Sequence, residues 1–196
     1  MISQRMFQLT KRFLDLVFLA IALLLLWPLF LAVIIYIKVF GGSGPILYWS
    51  KRVGRGNVIF LMPKFRTMKV STPEVATHLL NDPKQYLICG GSFLRSSSLD
   101  ELPQLWSIFR GDMSFVGPRP ALFNQHDLVE LRSNFGVHLI KPGLTGWAQV
   151  NGRDELSIEE KVVYDRDYLA RKTIWFDMKI IWLTFLKVVK RAGISH

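Results

Sequence analysis

Apolar and polar positions divide this chain into one long hydrophobic run followed by shorter, mixed segments. No charged residue occurs from Leu16 to Ile37, and about 20 apolar residues suffice to cross a bilayer as a helix. Pro28 falls in the middle of the run, after Trp27. There it removes the bond to the Leu24 carbonyl and crowds that turn. The run therefore predicts a helix, a break at Pro28 and a second helix, each half about 16 to 18 Å long against a hydrocarbon core of ~30 Å. Arg5, Lys11 and Arg12 precede it, and Lys38, Lys51, Arg52, Arg55, Lys64, Arg66 and Lys69 follow, with no acidic residue between Lys38 and Pro73. Two basic flanks give no preferred crossing direction, so a re-entrant segment with both ends on one side fits them better than a kinked span.

Beyond the run, Ile46 to Trp49 and Val58 to Leu61 read as two strands of a hairpin around Gly54, Arg55, Gly56 and Asn57. Helical periodicity is expected over Pro73 to Leu80, Leu102 to Phe109, Ala121 to Phe135 and Ser157 to Ala170. From Ile174 to Arg191 a helix would place Trp175, Met178, Trp182, Phe185 and Val189 on one stripe and Lys179, Lys187 and Lys190 opposite. That stripe suits either the headgroup layer of a membrane or the core of a domain. The expected class is α+β, mostly helical. Residues 1–40 are expected to form a re-entrant membrane helix-break-helix, and 41–196 a cytosolic domain ending in the amphipathic helix 174–191.

Composition sharpens this picture. In 196 residues, 50% are hydrophobic and mean hydropathy is +0.25, too apolar for an ordinary soluble domain of that size. A net charge of +10 calls for an anionic partner: nucleic acid, anionic lipid or a phosphorylated substrate. The single cysteine, Cys89, excludes an internal disulfide and reads as a small buried hydrophobe. His78, His126, His138 and His196 show no metal-ligand spacing.

Candidate chemistry concentrates in Ser98-Leu99-Asp100-Glu101-Leu102-Pro103-Gln104-Leu105-Trp106. Ser98 and Glu101 have capping-box spacing, which starts a helix near Leu99; Pro103 favours a start at Pro103 itself. Either way two adjacent carboxylates lie at a helix N-terminus, where the dipole favours the ionised form by about 0.3 to 1 kcal/mol. Plain capping would account for such a pair. Nearby cations point further: Arg95, Lys64 and Arg66, and Arg119 held between Pro118 and Pro120. An arginine fork suits phosphate oxygens, and a rigid frame lowers the entropy cost of presenting it. A later block, Lys141 to Arg153, holds Gly146, Trp147, Gln149, Asn151 and Arg153. It reads equally as a ligand loop, with Arg153 to pair phosphate, or as a tight turn between elements. Gly41 to Pro45 lacks the order of a phosphate loop and reads as a turn.

These motifs in this order resemble the bacterial sugar transferase family, the monotopic polyprenyl-phosphate phosphoglycosyl transferases. The likeness runs through Lys11-Arg12 and Asp15, the broken apolar helix, Lys64-Phe65-Arg66-Thr67-Met68, the Asp100-Glu101 block, Gly111-Asp112-Met113-Ser114, Gly117-Pro118-Arg119-Pro120, and Pro142-Gly143-Leu144-Thr145-Gly146 through Asn151-Gly152-Arg153. It implies transfer of a phospho-sugar from a UDP-sugar to polyprenyl phosphate with release of UMP and Mg²⁺ as cofactor, at the cytoplasmic face of the bacterial inner membrane. It implies Asp100 as nucleophile and metal contact, a covalent phospho-sugar intermediate, and Glu101 in proton handling or acceptor positioning. Arg95 and Arg119 match the family's phosphate-binding positions. Arg66 falls where relatives often have lysine, and Trp27 where they often have a small polar residue. The chain is similar to the family's minimal catalytic form, expected on anionic phospholipid, with a homodimer left open.

Two other classes compete. A membrane-anchored nucleic-acid-binding module would use the positive charge and the 13% aromatic content, yet no such module's motif occurs and the acidic dyad opposes a phosphate backbone; nucleic acid is not an expected partner. A noncatalytic membrane scaffold would tolerate Asp100→Asn.

Overall fold

The apolar run forms one helix, α1 (Ile2–Phe40), which continues through Pro28. The break expected at Pro28 is not confirmed: the proline is accommodated inside one continuous helix. Pro28 removes a single N–H, and the leucine- and alanine-rich turns on both sides keep their own ladders. The computed structural model describes residues 2–73, 82–152 and 155–190. By length and composition α1 is apolar enough to cross a membrane, but it does not stand apart from the rest of the chain. One stripe of it docks along the body. Leu19 packs with Met62, Leu105, Ile108 and Met113, and Ala22 joins them. Val33 and Ile37 pack with Phe65, Ile88 and Leu94, and Phe30 touches both clusters. Leu24, Leu25, Trp27, Leu31 and Ile35 are exposed.

Polar contacts fasten the N-terminal part of α1 to the same body. Lys11 pairs with Asp177, which also accepts from the Tyr168 hydroxyl at 2.7 Å. Arg12 donates to the carbonyls of Ile108 (2.6 Å) and Phe109 (2.7 Å). Buried Asp15 accepts from Ser114 Oγ at 2.9 Å and Phe115 N at 3.0 Å. Lys11-Arg12 and Asp15 are therefore anchoring groups.

The hairpin forms as an antiparallel pair, β1 (Leu47–Val53) and β2 (Ile59–Phe65), turning through Arg55–Asn57. Both strands run longer than the apolar pattern predicts because Ser50, Arg52 and Lys64 also alternate toward the body. Three short elements follow: α2 (Gly91–Ser96), a 3₁₀ helix over Leu99–Gln104, and α3 (Leu105–Arg110). A parallel pair, β3 (Ser114–Val116) with β4 (Gly143–Thr145), ties the middle of the chain to its later half. Three residues per strand are too few for a period-2 signal.

Helices α4 (His126–Asn134), α5 (Trp147–Asn151), α6 (Ile158–Arg171) and α7 (Ile174–Lys190) complete the body. The expected helix from Ala121 starts only at His126. A full capping box starts α6, with Ser157 and Glu160 exchanging side-chain to backbone bonds. In α7, Phe176 and Ile180 are buried with Val116, Val150 and Tyr168, while Trp175, Trp182 and Phe185 are exposed. The stripe expected from the sequence therefore faces outward, and the core is met by a neighbouring stripe through Phe176 and Ile180. Cys89 is exposed, a correction to its reading as a buried hydrophobe: it lies within the turn that Gly91 N closes on Ile88 O. The helix expected over Pro73 to Leu80 lies, after Pro73, outside the described residues, as does Arg191.

Candidate active site

The acidic dyad sits where backbone strain, a 3₁₀ turn and the hairpin meet. Ser98 has φ +57°, one of two described residues other than glycine in the left-handed region, a conformation that costs energy and collects at functional sites. Its side chain makes no cap bond, so the expected capping box does not form; Glu101 is engaged elsewhere. The two expected helix starts merge. The turn begins at Leu99 as 3₁₀, which tolerates Pro103 inside it, and becomes α-helical at Leu105.

Although adjacent, the two carboxylates meet different surroundings. Glu101 takes the neighbouring cations: Lys64 Nζ lies 2.9 Å from Oε1, and the Arg119 fork spans both oxygens, with Nη1 3.3 Å from Oε2. Burial opposes its charge, but Arg119 and Lys64 outweigh burial and hold it well below the usual carboxylate range. Asp100 is 7% exposed. Its nearest partner is Lys64, at 3.9 Å from Oδ2, beyond hydrogen-bond reach. Burial raises its pKa to about 6; Lys64, Arg95 and Arg119 pull against that rise, and Glu101 adds to it. One carboxylate is neutralised and fixed while the other is desolvated and without a hydrogen bond among the described residues, the division that separates roles within a carboxylate pair.

The arginine frame is built to present Arg119. Prolines at 118 and 120 donate no N–H, so this stretch is held through its carbonyls. Pro118 O accepts from Gly143 N at 2.9 Å, Arg119 O from Arg132 Nη1 at 2.8 Å, Pro120 O from Arg52 Nη1 at 3.2 Å, and Ala121 O from Val53 N at 3.0 Å. Arg132 is itself fixed by Asp165 Oδ2, 2.9 Å from Nε and 2.6 Å from Nη2, in a buried pair. Burial raises the Asp165 pKa against the pull of Arg132. Sequence reasoning missed Arg132, Asp165 and Arg52 because they lie on separate elements and belong to no local motif.

Not all expected site residues converge here. Arg95, on α2, lies with Nη1 3.5 Å from Met68 Sδ, and its charge reaches Asp100. Arg66 is 5% exposed and donates to the carbonyls of Pro45 (2.6 Å) and Gly42 (3.3 Å); its guanidinium holds the turn after α1. The Gly146 block is tied within itself and to α6 and α7. Trp147 donates to Asp167 at 2.8 Å and packs on Phe176 and Tyr164, Gln149 donates to Leu144 O at 3.2 Å and Asn151 to Trp147 O at 2.7 Å. A Cβ at Gly146 would stand 2.1 Å from Gly117 O, so glycine lets this loop press against the arginine frame. Arg153 lies outside the described residues. Among them, no group of three or more His, Cys, Asp or Glu residues converges as a metal cage.

Residues 6–191 match the family described as bacterial sugar transferase. Similar proteins include a UDP-glucose:undecaprenyl-phosphate glucose-1-phosphate transferase of Xanthomonas campestris pv. campestris, 41% identical over 93% of this chain and 39% of that protein. One with the same description from Escherichia coli (strain K12) is 38% identical over 92% of this chain and 40% of that protein. The exopolysaccharide production protein ExoY of Rhizobium meliloti (strain 1021) is 36% identical over 93% of this chain and 87% of its own length. The chain spans about two-fifths of the length of the first two.

Proposed function

Because the chain belongs to the bacterial sugar transferase family, we propose that it transfers a sugar 1-phosphate from a UDP-sugar to undecaprenyl phosphate, as the names of its relatives describe. The observation that carries this reading is the division of the dyad: Glu101 is paired twice, and Asp100 is buried with no hydrogen bond among the described residues. An unsolvated carboxylate is a better nucleophile than one tied to donors. In the proposed reaction an Asp100 oxygen attacks the sugar-bearing phosphorus and the P–O bond to the nucleotide breaks, so UMP departs with that oxygen and its electron pair. An oxygen of the lipid phosphate then attacks the same phosphorus, releasing Asp100 and forming polyprenyl-diphosphate-sugar. Glu101, locked to Lys64 and Arg119, keeps both cations at the attacked group, where charge develops on phosphoryl oxygens.

Mg²⁺ fits this donor set as an ion held mainly by its substrate. Such sites use one or two carboxylates with phosphate oxygens and water, and Asp100 supplies an uncommitted carboxylate. When bound, the ion would neutralise diphosphate charge.

The setting proposed is the cytoplasmic face of the bacterial inner membrane, on anionic phospholipid, with α1 re-entrant and residues 41–196 forming the catalytic domain. Support comes from docking at both ends: Lys11, Arg12 and Asp15 are fastened to the same body that buries Val33 and Ile37. A helix pinned along one body does not leave that body on the opposite side of a bilayer. Intact-protein mass spectrometry tests the chemistry. With Mg²⁺ and a panel of UDP-sugars but no lipid acceptor, a mass gain of one phospho-sugar is expected in the natural chain and not in Asp100→Asn. Neither an adduct nor UMP release on adding polyprenyl phosphate would overturn the reading.

A further inference from the structure

The cations around the dyad are unequally neutralised. Tyr48, Ser50 and Arg52 on β1 share a sheet face with Phe60, Met62 and Lys64 on β2. Lys64 and Arg119 both pair with Glu101. Arg52 does not. Its Nε donates to Ser50 Oγ at 3.0 Å and its Nη1 to Pro120 O at 3.2 Å, both neutral acceptors, and among the described residues no carboxylate forms an ion pair with it. Both N–H groups of Nη2 are left without an acceptor there. Burial, and after it the repulsion of Arg119, hold its pKa at about 10 against the attraction of Glu101, so a second guanidinium lies near Arg119 with no ion pair of its own among the described residues. Holding the Pro120 carbonyl needs only a neutral donor such as an amide. A permanent, fork-shaped cation is suited to an anion that arrives from outside.

We propose that Arg52 is a further anion-binding residue of this site, taking a phosphoryl oxygen of a diphosphate on its free Nη2 edge. This rests on the donor reading above. Arg52 would add, beside Lys64 and Arg119, a cation that no described carboxylate already pairs, and its attachment to Pro120 would set its edge and the Arg119 fork at a fixed spacing.

The test is calorimetric titration of the full chain in nanodiscs with inorganic pyrophosphate and Mg²⁺, and in parallel with UDP. Arg52→Gln keeps a donor for Pro120 and is expected to weaken pyrophosphate about 10- to 100-fold, the loss of a charge-assisted bond. Arg52→Lys keeps the charge but not the fork and is expected to weaken it about 3- to 10-fold. In an Arg119→Gln background, Arg52→Gln is expected to weaken binding again by about 10-fold, as independent contacts do. Unchanged affinity in Arg52→Gln overturns the proposal, as does no further loss in the Arg119→Gln background, which would make Arg52 only a holder of Pro120. Should Arg52→Gln fail to fold, natural affinity in Arg52→Lys overturns it. The UDP arm separates the two claims. Arg52-dependent pyrophosphate binding without UDP binding keeps the anion site and removes the donor, while UDP binding untouched by Arg52→Gln removes the site and keeps the donor.

Discussion

Replacing Asp100 by asparagine is expected to stabilise this protein while abolishing the proposed transfer reaction. The carboxyl is buried with Lys64 no closer than 3.9 Å, and its pKa rises from 3.8 to about 6. A folded-state pKa above the unfolded one means that the folded state binds the proton more tightly. Stability then falls as pH rises through this window and stays low above it. At about 1.36 kcal/mol per pH unit, ionised Asp100 costs the fold about 3 kcal/mol near pH 7 and about 0.5 kcal/mol near pH 4. Asparagine has nearly the same shape and no charge, so the variant escapes that cost. For a chain of this length ~3 kcal/mol corresponds to a melting temperature higher by about 6 to 12 °C. The assay is thermal unfolding of both proteins in detergent with EDTA, so that no divalent ion neutralises the natural carboxylate, across pH 4 to 8. A variant no more stable than the natural chain near pH 8, or an advantage undiminished near pH 4, would refute the reasoning.

Three further outcomes follow from the same contacts. Glu101→Gln removes the acceptor of both Lys64 and Arg119 and is expected to cost about 3 to 5 kcal/mol by urea unfolding, as breaking a buried pair does; it also removes the repulsion that raises Asp100, so the acid limb of the activity profile should move to lower pH. Asp165→Asn leaves Arg132 buried without its counter-ion, with a similar loss of about 3 to 5 kcal/mol, and slackens the grip on the Arg119 carbonyl; initial rates should fall even at temperatures where the variant is fully folded by circular dichroism. Gly146→Ala drives a methyl against Gly117 O and should destabilise by about 1 to 3 kcal/mol or more in the same unfolding assay, a prediction that an unchanged midpoint would sink.

What could be read in advance depended on how far apart the cooperating residues lie. The long helix, the hairpin, α6 and α7 are each written in local periodicity, and the dyad with its proline frame in local motifs. The Arg132–Asp165 pair joins α4 to α6, 33 residues apart, and Arg52 reaches Pro120 across 68; no window of sequence contains either. Local spacing also misled. Ser98 and Glu101 have the spacing of a capping box, but two cations are stronger partners for a buried carboxylate than one backbone N–H. Trp147, Gln149 and Asn151 looked like ligand groups because they cluster near glycines, and tertiary packing uses them within the block and against α6 and α7.

The docking of α1 bears on the site as well as on topology. Leu19 packs on Met62 and Leu105, and Val33 and Ile37 pack on Phe65. Met62 and Phe65 flank Lys64 on β2, and Leu105 opens α3 directly after the turn that carries Asp100 and Glu101. The apolar helix is thus the floor beneath both elements that bring Lys64 to the dyad. The flank of α1 turned away from the body keeps Leu24, Leu25 and Trp27 exposed, so one helix presents lipid-compatible side chains outward and supports the elements around Asp100 with its packed stripe. On the proposed reaction, a phosphate carried on a lipid would reach Asp100 without the turn over Leu99–Gln104 leaving its support. On this arrangement, a polar residue at Leu19, buried at 4% exposure, should loosen the Lys64 and Asp100 approach and lower activity, whereas the same change at exposed Leu24 should weaken membrane retention and leave the dyad's geometry alone. Comparing transfer rate with membrane partition for the two variants distinguishes support from anchoring. Equal effects of both changes on both quantities would show that α1 serves only as an anchor.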